Sequence, residues 1–188
     1  MKLLRKAKGF TLIELIIVIM IIGILAADED CLQAAVEAIR DEFGDIDLLS
    51  DIWPFEQTDY YKDQTGGGIL RRFVSIEKLT DPGELARIKH ETNQMEQELA
   101  AQSALELPRC VNLDPGVIEP SKLVLSTTKN YSHRIYIGEK IYGEVTLVFD
   151  KGCWRSLPYT YPDYRQQCYW DFFDKVRTRL LEQLRSQH

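Results

Sequence analysis

Lys8-Gly9-Phe10-Thr11-Leu12-Ile13-Glu14 runs into Leu15-Ile16-Ile17-Val18-Ile19-Met20-Ile21-Ile22-Gly23-Ile24-Leu25-Ala26-Ala27, where every residue is aliphatic, Met or Gly. The use of that run decides the fold. As a helix at about 1.5 Å per residue, Phe10 to Ala27 would reach roughly 27 Å, close to a hydrocarbon core of about 30 Å. Lys2, Arg5, Lys6 and Lys8 precede it with no acidic residue, the charge pattern that holds a leader on the cytoplasmic side of a membrane. Glu14 then lies inside the apolar stretch and requires a partner, such as a free amine at Phe10 or in a neighbouring copy. As a strand, Met20 to Ala27 would be a buried element of a soluble sheet, because periodicity does not separate a short apolar run in a strand from one in a helix.

Outward from this run the chain turns polar at Asp28-Glu29-Asp30. Leu32, Ala35, Val36, Ile39 and Phe43 then recur at helical spacing and predict a helix over 30–43, ended by Gly44. Ile46 to Phe55 reads as extended, Glu56 to Gly68 as a loop and Leu70 to Leu79 as extended again. Asp81-Pro82-Gly83-Glu84 predicts a capped helix start, with Leu85, Ile88, Thr92, Met95 and Leu99 on one stripe. Arg109 to Leu113 is expected as a short strand, Asp114-Pro115-Gly116 as a turn, and Pro120 as the start of a short helix through Leu123, Val124 and Leu125. His133 to Ile137 and Ile141 to Phe149 predict a hairpin around Gly138-Glu139-Lys140, followed by a strand from Cys153 to Leu157. Pro162-Asp163 is expected to cap a last helix that faces Tyr169, Phe172, Phe173, Val176, Leu180 and Leu184 inward.

The expected organisation is a basic leader (1–9), an apolar membrane-type segment (10–27, with 20–27 as a candidate first strand) and one globular α+β domain (28–188). With Met20 to Ala27 as a strand, the order through Leu113 is strand, helix, strand, strand, helix, strand. That is the split βαβ pattern of a ferredoxin-like core, here extended by a C-terminal hairpin and helix. The formal charge is −6. The first 27 residues carry four basic residues and one acid, which leaves −9 on the rest and argues against nucleic acid as a partner. Cys31, Cys110, Cys153 and Cys168 contain no Cys-x-x-Cys and no nearby His at zinc spacing, so no metal is expected. Nor does the sequence point to a cofactor.

The N-terminal residues resemble a type IV prepilin leader: a short basic peptide, Gly9 before the cleavage point, Phe10 as the new N-terminus, Glu14 as fifth mature residue, then an Ile-rich helix. The resemblance implies cleavage by prepilin peptidase, N-methylation of Phe10 and pairing of Glu14 with a neighbouring subunit's amine. Cys153 and Cys168, fifteen positions apart, have two readings: a disulfide loop in an exported body, as in many pilins, or free thiols in a reducing cytosol. An ordinary secretory signal fits less well, because Leu25 stands where a small residue belongs. From about Ile22 onward the chain also resembles a bacterial and archaeal family of unknown function that carries an Asp-Pro-Gly motif. Its matching stretches include Phe43-Gly44-Asp45-Ile46-Asp47, Arg71-Arg72-Phe73-Val74-Ser75, Asn112-Leu113-Asp114-Pro115-Gly116, Thr127-Thr128-Lys129-Asn130-Tyr131-Ser132-His133-Arg134 and Tyr159-Thr160-Tyr161-Pro162-Asp163-Tyr164. Members of that family begin with a soluble strand where this chain has its Ile-rich run.

Two functional expectations result. In the first, the protein is a membrane-anchored prepilin-like component of a pilus or secretion pseudopilus, with pilin-like partners and a periplasmic body. In the second, it is a cytoplasmic α+β domain that binds a small anionic ligand, phosphate or nucleotide-like, and its first strand mimics a leader. The candidate ligand residues are Asn112, Asp114, Lys122, Lys129, His133, Arg134 and Glu144, placed on strand ends and turns where sites tend to lie. Lys122, Lys129 and Arg134 would hold an anion, and His133 would exchange a proton beside Asp114 or Glu144. Gly66-Gly67-Gly68 with Arg71-Arg72 lacks the Gly-Lys-Ser/Thr of a P-loop. No Gly-x-Ser-x-Gly elbow is present, and the sequence names no reaction.

Overall fold

A computed structural model describes residues 17–55, 68–103, 105 and 109–186. Gly9, Phe10 and Glu14 lie outside the described residues, as does most of the 56–68 loop. Strand β1 (Ile19–Ala26) occupies the place expected of Met20 to Ala27, and all eight of its residues are buried. Helix α1 (Glu29–Phe43) starts behind an Asp28 cap, whose carboxylate accepts the Cys31 N–H at 2.8 Å, and ends at Gly44. One continuous helix from Phe10 to Phe43 is therefore not formed. No helix among the described residues is long and apolar enough to cross a membrane.

The remaining elements are β2 (Ile46–Leu49), β3 (Trp53–Pro54), β4 (Leu70–Ile76), α2 (Leu85–Gln102), β5 (Val111–Glu119), β6 (Lys122–Thr127), β7 (Ile135–Gly138), β8 (Ile141–Asp150), β9 (Cys153–Ser156) and α3 (Gln167–Ser186). The nine strands form one antiparallel sheet in the order β2-β4-β1-β5-β6-β8-β7, with β3 on β4 and β9 on β8. Together with the three helices this makes a single α+β domain. On one face Met20, Ile22, Ile24 and Ala26 pack with α1 and α2. On the other Ile19 and Ile21 pack with Phe73 and with Tyr169, Phe173 and Val176 of α3. Antiparallel strands often leave one face in water and so alternate. This central strand is covered twice, and alternation disappears from its sequence.

Two sequence expectations are corrected downstream. Asp114-Pro115-Gly116 is not a turn but the middle of β5, paired with Gly23, Ile22 and Ile21 of β1. Strand β6 joins β5 only from Gly116 to Glu119, so Val111, Leu113 and Pro115 have no strand on that side. Side chains take over the ladder there. The Leu113 N–H donates to Glu96 and its carbonyl accepts from Lys89, each at 2.7 Å, and the Pro115 carbonyl accepts from the Ser126 hydroxyl at 3.0 Å. Proline lacks only the N–H that this open edge does not need. Likewise Leu123, Val124 and Leu125 are not helical. Glu119 faces Lys122 across a tight hairpin, Leu123 and Leu125 point toward α3, and Val124 packs beside Val117 on the opposite face.

Smaller differences concern helix starts. Asp81 caps a 3₁₀ turn (Pro82–Glu84) through the Gly83 N–H, and α2 follows directly. Pro162 precedes a 3₁₀ turn (Asp163–Arg165) rather than α3 itself, and the Asp163 side chain is committed elsewhere. The expected hairpin between β7 and β8 is present, with Glu139 and Lys140 both at positive φ. His133 lies ahead of β7, not within it.

Candidate functional site

Where β5 and β6 part, a cavity of about 480 Å³ opens. Its floor is built by β4 and β5, which send Arg71, Asn112 and Asp114 to the α3 face. One wall comes from Ser126 to Lys129, with Arg134 and Glu144, and Tyr161 to Tyr164 close the top. Lys89, Asn93 and Arg109 line the α2 side.

Arg71 is the centre of this arrangement. It is 2 % exposed, on the same strand as the core residues Phe73, Val74 and Ile76. Its Nη2 donates to Asp163 at 2.7 Å, and its Nη1 lies 3.7 Å from Asp114, within ion-pair range but too far for a hydrogen bond. The guanidinium is held among the rings of Phe55, Phe73 and Tyr164 at 5.2 to 5.6 Å. Burial works against its charge, but Tyr164, Asp163 and Asp114 more than restore it and hold the group firmly protonated. Nε and Nη1 meet no acceptor at full hydrogen-bond geometry, although the buried Tyr169 hydroxyl lies close enough to interact with the guanidinium, and Asn112 Nδ2 and the Tyr164 hydroxyl are also buried without partners. Burial pushes the Asp163 carboxyl up from its ordinary range against the pull of Arg71, and pushes the Tyr164 hydroxyl well up.

A second group forms the wall. Glu144, almost fully buried, lies 2.9 Å from His133 Nε2 and accepts Arg134 Nε at 2.8 Å. Arg134 also donates to the Lys129 carbonyl and the Tyr161 hydroxyl. His133 stacks on Tyr159 with centroids 4.0 Å apart. Glu144 is thus a saturated clamp that fixes the loop before β7, and it is the acid that orients His133.

Of the residues singled out from sequence, Asn112, Asp114, Lys129, Arg134 and Glu144 line one cavity, and His133 sits directly behind Glu144. Lys122 does not join them: it lies at the hairpin end of β6 and pairs with Glu119. Sequence reasoning missed Arg71 as the anchor, having weighed it only beside the glycine triplet, and missed Asp163, Tyr161 and Ser126. The parity of β4 carried a signal. Arg71 shares a face with Phe73 and Ser75 on a strand whose neighbours are covered on both sides, so its charge had to be buried and paired.

Gly23 makes room for this centre. A Cβ there would meet Arg71 Nη1 and Phe73 Cε1 at 2.9 Å and the Tyr164 hydroxyl at 3.2 Å. A second cavity holds Cys31 and Cys110 beside Ser103, and burial pushes the Cys31 thiol up to about 12. All four cysteines are free. Among the described residues no group of three or more His, Cys, Asp and Glu side chains is placed to hold a metal ion.

A family model described as a domain of unknown function (DUF4416) matches residues 17–180, and one described as a prokaryotic N-terminal methylation motif matches residues 4–27. No curated protein and no solved structure matches the chain. The methylation motif implies processing by prepilin peptidase and suggests a membrane-anchored, pilin-like protein. The two matches overlap on residues 17–27, which include β1.

Proposed function

Because the chain belongs to the family of the domain of unknown function DUF4416, and carries a prepilin-type methylation motif ahead of it, we propose that its activity resides in the β5–β6 cleft, which binds a small ligand bearing an oxyanion. The observation that carries this reading is Arg71. A buried guanidinium with two N–H groups unmade, beside an equally unpartnered Asn112 amide, costs about 1–3 kcal/mol per missing bond. A ligand that supplies acceptor oxygens removes that cost. Lys129 and Arg134 border the same space and favour negative charge. Asn112, Asp114, Glu144 and His133 serve the site as lining, acceptor, clamp and stacked support, while Lys122 has no part in it. The elements from β1 to β5, the two-residue β3 aside, support a ferredoxin-like reading of the core, since β2-β4-β1-β5 is an antiparallel run with α1 and α2 on one face.

Thermal stability of the full chain measured against inorganic phosphate, phosphate esters and small carboxylates tests the proposal. At least one compound should raise the melting temperature, and Asn112→Ala should reduce the effect. Absence of stabilisation by every compound would overturn it.

The methylation motif favours a second reading, a pilus or secretion-pseudopilus subunit cleaved after Gly9, methylated at Phe10 and assembled through Glu14. Sequencing the N-terminus of protein from membrane and soluble fractions tests it. An intact Met1 in both fractions would rule out use of the leader.

A further inference from the structure

We infer that the oxyanion is a carboxylate and that the ligand of the cleft is an α-amino acid, its ammonium group held by Asp114. This rests on the oxyanion reading above and names the ligand class for the same site.

The inner end of the cleft already holds two acids on one guanidinium, Asp163 at 2.7 Å and Asp114 at 3.7 Å from Arg71. A phosphate dianion would place two more negative charges beside them. A carboxylate brings one, and a ligand that carries its own cation brings none in net. That cation has a seat. Among the three cleft carboxylates, Asp163 is bonded by Arg71 and Glu144 by His133 and Arg134, whereas Asp114 makes no hydrogen bond among the described residues and its side chain is one-third exposed. Unmade donors (Arg71 Nε and Nη1, Asn112 Nδ2) therefore stand next to an unmade acceptor. Asn112 and Asp114 are two positions apart on β5 and so project from the same face. The complementary ligand has acceptor oxygens and a charged donor on neighbouring atoms, which is the carboxylate and ammonium of an amino acid. The cavity, at about 480 Å³, exceeds the volume of these two groups, and its remaining wall mixes Phe55 and Leu125 with Ser126 and Thr128. The ligand's side chain occupies that part.

The test is thermal shift and isothermal titration of the full chain with the twenty standard L-amino acids, their 2-hydroxy analogues where these exist, and inorganic phosphate. One or more amino acids should bind, and the matched hydroxy acid should bind at least about tenfold more weakly, since it lacks the charge that Asp114 reads. Asp114→Asn should abolish that preference, so that the amino acid and its matched hydroxy acid bind within about threefold of each other. Equal binding of an amino acid by Asp114→Asn and wild type would overturn the ammonium assignment. Stabilisation by phosphate but by no amino acid would overturn the ligand class and leave the oxyanion reading standing. If neither group of compounds stabilises the protein, the ligand class fails, and the oxyanion reading fails with it if the phosphate esters and small carboxylates are also without effect.

Discussion

Two single residues set what the cleft can do, and neither advertises itself. Gly23 reads in sequence as part of a small-residue ending to an apolar helix, yet in β1 it is the one position at which Arg71, Phe73 and Tyr164 can lie against the strand. Gly23→Ala should therefore cost about 1–3 kcal/mol through overpacking. Phe73 and Arg71 are both almost fully buried, but the contact on Arg71 is the far end of a flexible side chain, so Arg71 should be the group displaced. Chemical denaturation would show the first effect, and loss of ligand-induced stabilisation the second. A variant with wild-type stability and binding would mean that the cradle is looser than these contacts require. Asn112, Asp114, Arg134 and Glu144 were singled out as residues of turns and strand ends, but Asp114 and Glu144 stand inside β5 and β8, and it is the sheet that brings the four to one cavity. Arg71 and Asp163 were not legible, since they are 92 positions apart and only the fold brings them together.

At the scale of elements, β5 explains both a success and a failure of sequence reading. Asp-Pro-Gly ordinarily signals a turn, but here Pro115 sits where the ladder to β6 has ended and a missing N–H costs nothing. The two-helix face then supplies what the ladder lacks, through Lys89 and Glu96 of α2 on either side of Leu113. Helical periodicity found the apolar stripe of α2 but not these buried charges, which share its inward face. Lys89→Met keeps the stem and removes the donor, so the Leu113 carbonyl is left buried and unbonded. A loss of about 1–3 kcal/mol is expected, with faster amide exchange at Leu113. Burial pushes the Glu96 carboxyl up from its ordinary value, opposed by Lys89 and Arg109. The folded state thus holds this proton more tightly than the unfolded chain does. Its contribution is full below the ordinary carboxyl range and is lost as pH rises through the raised folded value. Removing Lys89 should push Glu96 further up and widen that window, which denaturation midpoints at pH 4 to 8 would record. An unchanged pH profile would count against an influence of Lys89 on Glu96.

At the scale of the whole molecule, one segment answers to two families. The methylation motif and the domain share residues 17–27, and β1 within them is the central strand, bonded to β4 on one side and β5 on the other. A double-sided central strand and a membrane helix have the same composition because both are apolar all round, which is why sequence left the choice open. Physically the two uses exclude each other in one molecule. Ile19, Met20, Ile21, Ile22, Ile24 and Leu25 are each at most 4 % exposed, and fully burying such side chains is worth roughly 1.5–3 kcal/mol each. A bilayer would also keep these six out of water, so the loss falls on what they cover, the apolar faces of the three helices and of the flanking strands, and it is large against the about 5–15 kcal/mol that holds a typical domain folded. Drawing β1 into a bilayer would also leave the ladders of β4 and β5 unpaired in the middle of the sheet. With β1 and the Val18–Thr80 bridge retained, Phe10 to Ile17 would span only about 12 Å as a helix, short of a hydrocarbon core of about 30 Å. Cleavage after Gly9 is compatible with the folded domain, whereas spanning by Phe10 to Ala27 is not. The expectation is therefore a partition by folding state: chains recovered as integral membrane protein should have a protease-sensitive body, and chains recovered soluble a resistant one that survives removal of residues 1–16 with its melting temperature nearly unchanged. Limited proteolysis of the two fractions decides the matter, because an integral form whose body is as resistant as the soluble form would require a sheet that holds together without β1.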